Sequence, residues 1–307
     1  MSLPFTIVDA FTNRLFGGSP AAVIFLPRDA PVYPDQLLQA IAIELNHPAT
    51  AFVSHTEIPK TESTQSPLFG IRWFTPAREI RICGHATLAT ASLLFQNESL
   101  VPRGLDVVRF SSLSGILSAR RVAGASKVEL EFPVGDIEPT DQAIYVKVAN
   151  SVAKNSAGIA SEDDVVFVGV CKAAPYQEYI LIEIRPEIDL EALPVNPLGL
   201  VNTPPFLASH VNPPQLTVLC TGIFYPRIPP YRYHQSSGGT RCKRNQPGGP
   251  LGASVLSFTH VRPSQGIAPG VAMTVRQVSA RGGDVEVVWD DEKGTTRLRG
   301  ETRVSSH

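Results

Sequence analysis

Apolar runs in this chain are short, and proline and glycine recur between them: 27 prolines and 23 glycines are spread through 307 residues. Inside a helix each proline costs about 3 kcal/mol and each glycine about 1, so such punctuation favours brief strands over long amphipathic helices. The first half reads as strands "PFTIVDAF" and "AAVIFLP" around the turn "FGGSP", the second with a continuous apolar run suited to burial on both faces. "YPDQLLQAIAIEL" sets Leu37, Leu38, Ile41 and Leu45 at helical spacing and is expected to pack on that sheet. Strands "TAFVSH", "GIRWFT" and "EIRIC", a helix "HATLATASLLF", and strands "VVRFSS" and "SKVELEFP" follow. The second half has the same texture, with "DVVFVGV", "YILIEI", "LTVLCTGIF", "VAMTVRQV" and "DVEVVW". The expected class is α+β, with mostly antiparallel or mixed sheets and not a doubly wound one. Length implies two domains, 1–125 and 126–307, with the last strand returning to the first. Similar element order in the halves fits a duplicated architecture with a ligand cleft between them.

Lys and Arg (27) nearly balance Asp and Glu (28), so no overall charge draws the chain to nucleic acid or an anionic membrane. "MSLPFTIVDAF" lacks a basic, then apolar, leader pattern, and no apolar run reaches the roughly 18 residues of a spanning helix. The expectation is a soluble, cytoplasmic protein with a small-molecule partner. Cys83, Cys171, Cys220 and Cys242 show neither C-x-x-C pairing nor a histidine at zinc-finger distance, so they read as reduced thiols with no metal site.

One region departs from this pattern. "YPRIPPYRYHQSSGGTRCKRNQPGGP" offers no evident strand or helix, and between residues 192 and 283 there is no Asp or Glu. No carboxylate acid or base can come from that stretch. Its arginines 227, 232, 241 and 244 and Lys243, interleaved with tyrosines 225, 231 and 233, could contact phosphates and stack on bases. Without a binding-fold signature they read as a solvated face.

The candidate chemistry lies in "EIRICGHATLATA", residues 79 to 91. Gly84 turns a strand into a helix, and the helix's first N–H groups lack intrahelical partners. Ala86, Thr87, Ala89 and Thr90 are small enough for a ligand or a neighbouring strand to come close. Such a junction suits a carboxylate, with His85 placed to donate a hydrogen bond or pass a proton. The helix dipole is expected to lower the pKa of His85 and of Cys83, leaving neutral imidazole and some thiolate. Against this stand plainer roles: a histidine at a helix start can simply cap it, and a cysteine at a strand end is usually a small buried hydrophobe.

"VDAFTNRLFGGSPAAV", "AIELN", "TAFV", "RWFTPAREIRICGHATLATA" and the late "RGGDVEVVW" together resemble the phenazine-biosynthesis PhzF-like family, related in fold to diaminopimelate epimerase and proline racemase. The resemblance covers most of residues 4 to 125 and, weakly, about 270 to 304. It implies two similar halves, each a mixed sheet wrapped around a central helix. It also implies cofactor-free isomerisation or epimerisation of a small carboxylate metabolite by proton transfer, in a homodimer, with a role in secondary-metabolite biosynthesis. Gly84 and His85 match the family's Gly-His element, and Ser19 stands where asparagine is common before the proline.

Two departures bear on activity. The family's catalytic glutamate follows N-x-S, whereas "ELNHPATAFV" puts Ala49 there, and the second-half signature Glu-Asp-Pro-x-Thr-Gly-Ser is absent, with only "GGPLGAS" resembling its downstream helix. A methyl group moves no proton. Another base could act: Cys83, His47 two residues before the vacant position, or Glu44, the weakest because it ends a helical pattern and faces solvent. Alternatively the fold binds a small carboxylate without turnover, or residues 223–247 reflect a shifted reading frame or splice boundary. The expected site is His85 and Cys83 as proton-handling groups, with Gly84, Ala86, Thr87, Ser19, Asn46 and His47 binding substrate and no cofactor or metal.

Overall fold

The computed structural model describes residues 3–28, 32–55, 66–124, 126–171, 176, 179–185, 187–189, 193–194, 217–222, 231–237, 255, 259, 266–277 and 281–306. They form mixed sheets with few helices, and the chain divides into two compact units. The first comprises Met1–Pro133, Gly283–Glu286 and Asp290–His307, the second Val134–Gly282 and Val287–Trp289.

In the first unit the strands are β1 (Thr6–Ala10), β2 (Ser19–Phe25), β3 (Thr50–His55), β4 (Leu68–Phe74), the two-residue β5 (Glu79–Ile80), β6 (Val107–Ser112), β7 (Gly115–Arg121) and β8 (Lys127–Pro133). Their order is β1-β2-β3-β4-β6-β7-β8, with β5 flanking β4. The chain's last strand, β16 (Thr295–Ser306), pairs with β8 (Leu298 opposite Leu130) and with β1 (Val304 opposite Val8), so the ring of strands closes on itself. The pairs β2–β3 and β4–β6 are parallel. Two helices join this sheet, α1 (Asp35–Leu45) and α2 (Gly84–Gln96).

Helix α1 covers one patch of sheet. Leu38 and Ala42 are buried with Ile24, Phe52 and Phe74, while Ile41 and Leu45 pack at the edge. These four residues are the i, i+3, i+4, i+7 stripe of one helix face. Leu37, expected in the core, lies one position off that stripe and is 43% exposed.

Helix α2 is different: eleven of its thirteen residues are buried, and it packs against β1, β2, β3, β7, β8 and β16. Its composition permits this, because Ala86, Ala89 and Ala91 let strands come close and no charged side chain is carried inward. The Thr90 hydroxyl donates to the Ala86 carbonyl at 2.8 Å, so this buried polar group is satisfied within the helix.

The second unit contains β9 (Ile137–Pro139), helix α3 (Gln142–Asn155), β10 (Val165–Cys171), β11 (Tyr179–Ile184), β12 (Thr217–Gly222), β13 (Tyr231–Ser237) and β14 (Ala272–Gln277), in sheet order β9-β10-β11-β12-β13-β14. Strand β15 (Asp284–Asp290) contributes residues to both units. Val148, Ala149 and Val152 of α3 pack on Val165, Val168 and Ile182. The Asp141 carboxylate accepts the Ile144 N–H at 2.8 Å and so caps the helix.

Four sequence expectations change. "EIRIC" is extended over two residues only, because the chain turns toward α2. β7 and α3 were not anticipated. β13 lies inside the segment expected to hold no strand: its backbone pairs with β12 in antiparallel register (Thr217 opposite Ser237) and with β14 in parallel register (Tyr231 opposite Val275). Pairing on both sides holds a strand there despite the charged sequence. The rest of 223–247 and "GGPLGAS" (248–254) lie outside the described residues.

The β1–β2 turn depends on glycine. Gly18 has φ +56°, and a Cβ there would stand 2.1 Å from the Ala10 carbonyl oxygen, a backbone atom with no freedom to move aside. Gly18→Ala is expected to lower unfolding free energy by about 2 to 4 kcal/mol, combining left-handed strain with overpacking. Gly115→Ala, at φ +92° with nothing within 4 Å of its Cβ, should lose only about 1 to 2 kcal/mol. Urea unfolding of the two variants checks the difference, and equal losses would mean that the Ala10 contact is not limiting.

Candidate active site

The approach to α2 is tied down before the helix starts. Arg72 on β4 donates from Nε and Nη2 to the two carboxylate oxygens of Glu79, both at 2.7 Å, and from Nη1 to Asp35 at 2.9 Å. Its guanidinium also lies over the Phe74 ring, 5.1 Å from the centroid. The turn between β4 and β5 is held by Thr75, whose hydroxyl donates to the Arg78 carbonyl and accepts the Ala77 and Arg78 N–H groups. Gln39 of α1 donates to the Thr75 carbonyl at 2.8 Å. The chain therefore enters Cys83 from a fixed direction.

Cys83 is the residue before α2, with extended backbone angles (φ −150°, ψ 104°). Its carbonyl accepts the first intrahelical bond, from the Thr87 N–H at 3.1 Å, and the Thr87 hydroxyl at 2.5 Å. The N–H groups of Gly84, His85 and Ala86 precede that bond. Cys83, Gly84, His85, Ala86 and Thr87 are all buried. The Thr87 proton is thus committed to the helix start.

Cys83 Sγ and His85 Nδ1 lie 3.4 Å apart. Burial pushes His85 down to about 4, only partly opposed by the Pro20 carbonyl beside the ring. Nε2 is buried and has no partner at hydrogen-bond geometry. Neutral imidazole, expected from the helix dipole, is found, but its main cause is loss of water. For Cys83 the expected thiolate is overturned: burial pushes the thiol up to about 12, and the facing Ala86 N–H opposes this only weakly. A helix N-terminus favours an anion, yet the thiol of a cysteine only 3% exposed has lost the water that would stabilise its charge.

The other candidates approach from neighbouring strands. Ser19 opens β2 and is 9% exposed, next to Pro20, whose carbonyl faces the His85 ring. Ala49, fully buried, precedes β3, and its carbonyl accepts the Ala22 N–H at 3.0 Å, which sets it one strand away from the Pro20 segment. Asn46 ends α1 in left-handed geometry (φ 50°), its N–H on the Ala42 carbonyl and its side chain exposed. His47 is half-buried and Glu44 exposed. Sequence reading missed Thr50, 0% exposed, whose hydroxyl is buried without a partner beside Ala49. Its place inside "TAFV" made it look like an ordinary strand threonine. Among the described residues no group of His, Cys, Asp and Glu is arranged to hold a metal ion.

Residues 8–197 match the family model for phenazine biosynthesis-like proteins, PhzC-PhzF. The chain belongs to the PhzC-PhzF family. It is 42% identical over 141 residues to a phenazine biosynthesis-like domain-containing protein of Pongo abelii, covering 46% of each chain. It is also 36% identical over 145 residues to an uncharacterized isomerase of Halalkalibacterium halodurans, covering 47% of this chain and 48% of that one. The matched part spans about half the length of these curated relatives. The fold extends further: the structure described as a predicted epimerase from Pseudomonas aeruginosa covers 99% of this chain and 97% of its own, with a TM-score of 0.68 at 18% identity. In this PhzF-family protein the Gly84-His85 junction and Ala49 are therefore set in a fold shared with proteins that have diverged widely in sequence.

The buried pair makes stability depend on pH in a definite direction. The unfolded chain binds a proton at His85 near 6.5 and the folded chain only near 4, so the contribution is full above 6.5 and is lost as pH falls toward 4, by about 3 kcal/mol. Cys83 acts at the other end, its contribution falling as pH rises from 9.0 toward about 12. Denaturant unfolding from pH 7 to pH 4 should show the acid loss, and His85→Gln should remove that part of the slope. An unchanged slope in the variant would show that His85 is protonated equally in both states.

Proposed function

We propose that this protein is a cofactor-independent isomerase of the PhzF type, moving a proton at a carbon adjacent to the carboxylate of a small metabolite, with His85 as the residue that exchanges it. The observation carrying this reading is the buried, neutral His85, its Nε2 without a partner, seated directly after Gly84 where three helical N–H groups precede the first intrahelical bond. With the Ala86 N–H facing the Cys83 sulfur, the Gly84 and His85 N–H groups are the ones that suit a carboxylate. A bound carboxylate would in turn raise the His85 pKa, since a nearby negative charge favours imidazolium, and so bring the ring into a range useful for proton transfer. Isomerisation leaves the substrate's formula unchanged, so it requires no stoichiometric oxidant or carrier. The isomerase name of the Halalkalibacterium halodurans relative supports the reaction class. On this reading Ser19, Asn46 and His47 contribute to the substrate's surroundings, the two units are similar epimerase-like halves, and the working form is a cytoplasmic homodimer. Its pathway makes a secondary metabolite.

Ala49 favours a second reading, a carboxylate-binding protein without turnover, because a fully buried methyl stands where the family places its glutamate. The two separate in D2O. Small carboxylates with an acidified α-carbon, incubated with the protein and followed by proton NMR, should take up solvent deuterium. His85→Ala should slow uptake by roughly 100-fold or more with circular dichroism unchanged. Heat of binding without deuterium uptake by the wild type would favour the binder, and undiminished uptake in the variant would remove His85 from the reaction.

A further inference from the structure

Cys83 and His85 are two residues apart across the start of α2, with Sγ and Nδ1 3.4 Å apart and side chains almost fully buried. A neutral imidazole carries one proton, so one ring nitrogen donates and the other accepts. Which one does so decides how His85 meets a ligand.

Two features point the same way. The Ala86 N–H already faces the Cys83 sulfur, which makes sulfur the acceptor there and leaves its own proton to be given elsewhere. Sulfur is a weak acceptor and an imidazole nitrogen a good one, so the better of the two possible bonds runs from the thiol to Nδ1.

We propose that Cys83 is a positioning residue whose thiol donates to His85 Nδ1, fixing the tautomer with hydrogen on Nε2 and leaving that N–H as a buried donor aimed at a ligand oxygen. This deepens the isomerase reading and rests on it for the ligand. In the free protein His85 therefore meets its ligand as a hydrogen-bond donor through Nε2–H, and the proton it exchanges with the substrate is first the one it delivers from that nitrogen. Cys83 itself never contacts substrate in this arrangement and needs no thiolate.

The test requires no substrate. The full chain, with 15N in the imidazole rings of its 7 histidines, is examined at neutral pH by long-range proton–nitrogen correlation, with His85 assigned by its loss in His85→Gln. The expected pattern is a protonated Nε2 and a bare Nδ1. Cys83→Ala should shift both nitrogens toward the average of mixed tautomers, and Cys83→Ser, whose hydroxyl also donates, should restore the wild-type pattern. A protonated Nδ1 in the wild type would overturn the proposal, as would a Cys83→Ala spectrum indistinguishable from it. Should Cys83→Ala fail to fold, the wild-type spectrum alone still decides. Failure of the isomerase reading is separable: a bare Nδ1 with no deuterium uptake from any carboxylate would remove the turnover and keep the tautomer.

Discussion

Taking the first turn of α2 out of water is the step on which the site depends. A helix buried over eleven of thirteen residues brings with it N–H groups that have no intrahelical partner, and an unpaired buried donor costs about 1 to 3 kcal/mol. Part of this cost is offset locally, because the Ala86 N–H faces the Cys83 sulfur, while the Thr87 and Thr90 hydroxyls are satisfied on the Cys83 and Ala86 carbonyls. Part is offset by close packing, since alanines at 86, 89 and 91 let six strands reach the helix. Two of the buried polar side-chain atoms left without a partner, His85 Nε2 and the Thr50 hydroxyl, lie on α2 and on β3, one of the strands it packs against. Such a residue of unsatisfied polarity inside a tightly packed unit is where a polar ligand gains most.

The same burial sets the electrostatics. Losing water moves His85 down and Cys83 up, opposite directions that both leave the group uncharged. The dipole of α2 works against neutrality for the sulfur and with it for the ring, yet desolvation is the larger influence on each. A pair this close could in principle exchange a proton to become thiolate and imidazolium. With the thiol near 12 and the imidazole near 4, the neutral pair is strongly preferred, so the unit holds a hydrogen bond and no ion pair at its helix start.

Much of both units is legible in the sequence because many elements obey simple periods. "TAFVSH" and "YILIEI" are strands over the residues expected, and α1 follows its apolar stripe apart from Leu37. The α2 start is readable from Gly84, because a strand followed by glycine and small residues leaves few other options. β7 was hidden because "GILSARR" buries only Leu117 and Ala119, too brief an alternation to separate from the turns around it. α3 was in fact legible: Ile144, Val148 and Val152 form a helical stripe with Lys147, Asn150 and Lys154 exposed on the opposite face, and only its position after β8 left it unread. β13 could not be found from pattern at all, since its strand state comes from backbone pairing on both sides. The charge state of Cys83 was misjudged for a related reason: a dipole is visible in the order of elements, but the water it competes with is excluded by strands distant in sequence.

Ala49 takes on a different meaning in this setting. A glutamate there would enter one strand away from the Pro20 segment that faces His85, and its charge would pull the imidazole toward protonation. With a methyl group in its place, and with the sulfur kept as a thiol, the described residues at the α2 start carry no formal charge. A ligand carboxylate would then be the first charge to enter, met by helical N–H groups and Nε2–H without a competing anion. The Ala49 methyl supplies no base, but it also brings no repulsion. The balance between these two effects follows from the ligand: one with an already acidic α-carbon needs little help from a protein base, while one with an ordinary α-carbon would bind and remain unchanged.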